Sequence, residues 1–198
     1  MVITQSDFQL LINGASTYDD YASIVRKYLF HGLPYVFDNR ENEYYDFRAA
    51  IATKWGVRFH EVLIIGSAKL GYSYYKKTKF TLDSDIDVSI VNPALFEKFV
   101  KAISEIQYKL EKSQLRMTVG EQKKYGKFLG YLVKGWMRPD LLPERMTGDI
   151  NKDKWFEYFR SISHGKSPVG DYKISEGLFK NFDYMERYYV ESLKASKQ

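Results

Sequence analysis

The chain has 198 residues, 44% hydrophobic and 28% charged, which suits one domain with a sizeable core and argues against wholesale disorder. The net charge of +5 points only weakly to a polyanionic partner. The lack of cysteine excludes disulfides and thiolate metal sites, and three histidines without ligand spacing speak against a zinc enzyme.

No secretory apolar segment follows Met1 and no run is long enough to span a membrane, so a soluble, cytoplasmic protein without a membrane partner is expected. In chain order, the spacing predicts short helices over residues 4–12 and 17–30. Thr17 caps the second, and Tyr21, Ile24, Val25, Tyr28 and Leu29 form its apolar stripe. A third helix runs over residues 41–55 through Tyr44, Phe47, Ala50, Ile51 and Trp55, and Gly56 stops it. Val62-Leu63-Ile64-Ile65 is a continuous apolar run before Gly66, the pattern of a strand buried on both faces.

Residues 68–82 read as a loop with Lys69, Lys76, Lys77 and Lys79 among aromatic residues. Those lysines suit either phosphate contact or a hairpin edge protected by charge. Asp83-Ser84-Asp85-Ile86-Asp87-Val88-Ser89-Ile90-Val91 follows. Period-2 alternation puts Asp85 and Asp87 on one face, and Ile86, Val88 and Ile90 on the other. Asn92-Pro93 then opens a long helix with Leu95, Phe96, Phe99, Val100, Ile103, Ile106 and Leu110 as its stripe.

Residues 115–136 leave strand and helix both open, because Gly126, Gly130 and Gly135 interrupt an aromatic and apolar stretch. Pro139 removes a ladder donor, so Asp140 belongs on an edge strand or just past one. A helix is expected over residues 151–163 and a loop from Gly165 to Gly170. A terminal helix is expected from Ser175 to Leu193, on Leu178, Phe179, Phe182, Met185, Tyr189 and Leu193. The expected division is a single domain, with N-terminal helices (1–56), a core bearing the site (57–145) and a C-terminal helical part (146–198).

Two carboxylates side by side on a rigid strand repel each other unless a cation lies between them. Oxygen-only donors suit Mg2+, which takes one or two carboxylates together with substrate phosphates. The Gly66-Ser67 turn offers backbone N–H groups and a small hydroxyl, able to cradle a triphosphate. A calcium loop is the competing reading of Asp83-x-Asp85-x-Asp87, but Val88 stands where its glycine belongs and strands flank it instead of helices.

Gly-Ser after a buried strand, a loop, then Asp-Ile-Asp within an apolar strand resembles the DNA polymerase β-like nucleotidyltransferase superfamily. The resemblance covers about 30 residues and is closest to bacterial stand-alone members, including those found near antiviral defence genes. It implies an α+β fold: a mixed, mainly antiparallel sheet covered by helices, with extra helices at both ends. It also implies Mg2+ or Mn2+ held by Asp85 and Asp87, and a nucleoside triphosphate bound at Gly66 and Ser67, with Lys69 and Ser73 alongside. A third carboxylate on a later strand is a feature of the family, and Asp140 is the choice for it. The implied activity moves a nucleoside monophosphate from the triphosphate to an unidentified acceptor. The alternative is a nucleotide- or nucleic-acid-binding module of the same fold without turnover, acting as a sensor or as a subunit with a protein partner.

Overall fold

The computed structural model describes residues 3–142 and 152–197. The N-terminal helices are α1 (Gln5–Gly14), α2 (Tyr18–Ile24), which continues as a π-helical turn over Val25–Phe30, and α3 (Glu41–Trp55). Thr17 and Asp20 form a reciprocal capping box at the start of α2. α3 keeps the bounds expected from sequence, and the chain turns away at Gly56.

Strand β1 (Val62–Ile65) is followed at once by a short helix, α4 (Gly66–Leu70). A small hairpin of β2 (Tyr72–Ser73) and β3 (Thr78–Lys79) comes next. The stretch 68–82 is therefore not a plain loop: one helical turn and two paired strands shape it. β4 (Ile86–Val91) leads into α5 (Pro93–Glu111), where the Asn92 side chain accepts from Leu95 N at 2.7 Å.

The open question over residues 115–136 resolves mostly as helix, α6 (Val119–Val133), begun by a Thr118–Glu121 capping box. A two-residue edge strand, β5 (Trp136–Met137), follows. Asp140 sits just past it, in a 3-10 turn over Pro139–Leu141. The boundary expected at residues 145–146, and residue 151 of the expected helix, lie outside the described residues. α7 covers Lys152–Ser161.

The terminal segment departs from expectation. Residues 174–179 are a strand, β6 (Ile174–Phe179), and helix α8 (Phe182–Ala195) begins only after an Asn181 cap. The residues at 178, 179, 182, 185 and 189 imitate one helical stripe although they belong to a strand end and a helix start. The strand is stabilised by partners distant in sequence, and local periodicity does not report them.

The main sheet has the order β1-β4-β6-β5. β1 and β4 are antiparallel, β4 and β6 parallel, and β6 and β5 antiparallel, so the sheet is mixed. One apolar cluster covers one face with Ile64, Ile86, Val88, Ile90, Leu178 and residues of α3, α5, α6 and α7. A second covers the other face with Leu63, Ile65, Val91, Phe179 and residues of α1, α2 and α8. β1 contributes to both clusters, which is why it reads as an unbroken apolar run.

Candidate active site

Strand direction brings the site together. β1 ends at Ile65, paired with Asp87 near the start of β4, so Gly66 and Ser67 emerge at the aspartate end of the sheet. β6 runs parallel to β4 and begins at that same rim, whereas β5 pairs antiparallel with the far end of β6, so that the chain leaving Met137 heads back toward the rim. The Gly-Ser turn, the aspartate pair, the start of β6 and the Arg138–Asp140 turn thus share one rim. They open into a cleft of about 1700 Å³.

Gly66 and Asp87 fit closely. A Cβ on Gly66 would stand 2.6 Å from Asp87 Oδ2, and Gly66 has φ of +67°. Both the space and the left-handed backbone demand glycine here. The Asp87 carboxylate is set deep in the cleft, and no hydrogen bond or ion pair reaches it among the described residues. Burial, with Asp85 adding to it, pushes its pKa up to about 6, against the pull of Lys76 and Lys173. Asp85 is partnered: its Oδ2 accepts from Lys173 Nζ and from Ser175 Oγ, each at 3.0 Å.

On this face the floor is phenolic. Tyr74, Tyr188 and Tyr189 line the cleft, and the Tyr74 and Ser192 hydroxyls share a hydrogen bond of 2.9 Å. Burial pushes the Tyr74 pKa up to about 12, so this ring stays neutral.

Of the residues expected from sequence, Gly66, Ser67, Ser73, Asp85, Asp87 and Asp140 all line the cleft. Ser73 Oγ accepts from Lys76 N at 3.0 Å and so orders the hairpin turn. Lys69 does not join them. It is buried, and its Nζ donates to His31 O and Gly32 O, both at 2.6 Å, holding the end of the π-helical turn against α4. Burial lowers its pKa to about 8. An ammonium spent on two backbone carbonyls is not available to phosphates, so the expected role of Lys69 is corrected to a structural one.

Asp140 reaches the rim but not the pair. Arg138 grips its carboxylate from two nitrogens, at 3.1 and 2.7 Å. β6 separates β5 from β4, an interval of roughly 10 Å at two strand spacings. The carboxylate that feels Asp140 is Glu176, whose pKa rises to about 8, chiefly by burial. Glu176 lies opposite Val88 in register and faces away from Asp87. The buried Trp155 indole approaches it without completing a hydrogen bond. No group of three carboxylate or imidazole side chains converges among the described residues.

Sequence reasoning missed Lys173, Ser175 and Glu176, because the segment that carries two of them reads as helix. The signal that could have exposed β6 is Asn181, a strong helix cap that dates the start of α8 to Phe182.

Comparison with family models, with curated proteins and with solved structures finds no match. The chemistry of the rim stands on its own residues. An unpartnered deep carboxylate beside a second one, against a glycine that admits no side chain, fits a hard divalent cation with phosphate oxygens completing its shell.

Proposed function

We propose that the chain is a metal-dependent nucleotidyltransferase, transferring a nucleoside monophosphate from a nucleoside triphosphate to an acceptor hydroxyl. The observation that supports this most is the closure of the Gly66-Ser67 turn onto Asp87, a juxtaposition of phosphate donors and cation ligands. Asp85 and Asp87 would hold Mg2+ or Mn2+, which when bound would neutralise the triphosphate's charge and favour in-line attack. The backbone N–H groups at Gly66 and Ser67 steady the terminal phosphates. The acceptor oxygen forms a bond to the α-phosphorus, the bond to the bridging oxygen breaks, and pyrophosphate departs. The acceptor's proton passes to bulk water, because Asp140 is gripped by Arg138 and stands two strands away from the aspartate pair.

A second reading has its own support: the aspartate face of β6 carries Ser175 and Gly177, with no carboxylate. That favours a module which binds triphosphate and serves as a sensor or a complex subunit, including in antiviral defence, without turnover. Both readings are tested by incubating the protein with each α-labelled triphosphate and Mg2+ or Mn2+, then separating nucleotide, RNA and protein products. Label transfer that disappears in Asp85→Asn/Asp87→Asn supports the enzyme. Binding without any pyrophosphate release supports the module. Transfer unchanged by the double substitution removes the metal roles.

A further inference from the structure

β6 decides what faces the aspartates. Its register sets Ser175 beside Asp87. Lys173 precedes it by two residues, and its carbonyl accepts from Ile86 N at 2.8 Å, which fixes it beside Asp85. Even-numbered residues Ile174 and Leu178 pack in the cluster with Ile86 and Val88, whereas Phe179 packs with Val91 on the other side. Positions 173, 175 and 177 therefore share the aspartate face.

None of these positions supplies a third acid. Lys173 is a cation, and Ser175 is neutral. At Gly177 a Cβ would lie 2.8 Å from the Trp136 indole nitrogen. That indole is held by stacking on Phe179, with centroids 5.7 Å apart and planes 7° from parallel, so position 177 is closed to any side chain. The two side chains that are present turn onto one atom: Lys173 Nζ and Ser175 Oγ both reach Asp85 Oδ2.

We infer that Lys173 is a resident counter-cation and that the site takes a single divalent ion with the triphosphate, held by Asp87 and the other oxygen of Asp85. This rests on the nucleotidyl-transfer reading and narrows it. Two-ion sites place their ions about 3.5–4 Å apart and share carboxylates between them. An ammonium at hydrogen-bond distance from Asp85 Oδ2 occupies the oxygen that such sharing needs, and like charge repels a second dication. Asp87, without a partner of its own, is left as the principal ligand.

The test is electron paramagnetic resonance of Mn2+ bound to the full chain with an α,β-methylene nucleoside triphosphate. The expected spectrum is that of one isolated Mn2+ per chain. Lys173→Ala/Ser175→Asp is expected to take up a second ion, seen as a spin-coupled pair. Lys173→Ala alone, titrated with Mn2+ without nucleotide, is expected to bind the ion severalfold more tightly than the wild type, and it decides the matter if the double variant fails to fold. A spin-coupled pair in the wild type, or an unchanged Mn2+ affinity in Lys173→Ala, overturns the inference and leaves nucleotidyl transfer standing. A wild type that binds no Mn2+ with the analogue overturns the nucleotidyl-transfer reading itself.

Discussion

Asp87 is the residue on which the rim turns, and it stands there at a cost to folding. Its carboxyl has an ordinary pKa of 3.8 when exposed and about 6 in the folded chain. A raised folded-state value means that stability is fullest below the ordinary value and falls as pH rises through the folded one. Asp87→Asn is therefore expected to stabilise the protein by about 1–2 kcal/mol at pH 7.5, with the raw shift discounted for partial solvent access. The gain should vanish toward pH 4, and urea unfolding at the two pH values measures it. A variant less stable than wild type at pH 7.5 would contradict the placement of an unpaired, half-buried charge. Gly66→Ala acts at the same contact. The left-handed backbone alone costs about 1–2 kcal/mol, and the methyl meets Asp87 Oδ2. Loss of triphosphate binding in a chain that retains its circular dichroism spectrum is the expected result.

At the scale of elements, α4 shows how a short helix is fastened. Lys69 runs from it to the carbonyls of His31 and Gly32. Lys69→Met leaves those acceptors without their donor, and a loss of about 1–3 kcal/mol is expected in thermal or urea unfolding. Triphosphate affinity should not change, whereas loss of a phosphate-binding lysine would lower it. Elements whose cause is local were legible in the sequence: α3 with its stop, Asn92 capping α5, and the alternation of β4. The Gly66–Asp87 juxtaposition follows from motifs that were legible too, because the apolar run before Gly66 and the Asp85-Ile86-Asp87 strand are successive strands of the main sheet and pair antiparallel. β6 was not. Its hydrogen-bond partners lie on β4, nearly ninety residues earlier, as the Ile86–Ile174 register shows. The faces of Lys173, Ser175 and Glu176 follow from that pairing alone. Lys69 was misjudged for a related reason: a lysine near a glycine turn looks like a phosphate ligand until the carbonyls it fastens are known.

For the whole molecule, the sheet is a partition between two apolar clusters, and the site sits at its rim where neither closes over it. α8 backs the aspartate face, with Met185, Tyr189, Val190 and Leu193 in the second cluster. Leu193 is fully buried, and Leu193→Ala is expected to cost about 2–5 kcal/mol in urea unfolding, because the cavity forms in a helix packed on α2, the π-helical turn and β6. A cost below 1 kcal/mol would mean that α8 packs only loosely. The open rim receives a triphosphate with its metal ion if nucleotidyl transfer is its function. Isothermal titration of the wild type and of Asp85→Asn/Asp87→Asn with nucleoside triphosphates, each with and without Mg2+, tests it most directly. Binding by the wild type that needs Mg2+ and is absent in the double variant is expected. Binding that is indifferent to Mg2+ and survives both substitutions would contradict it.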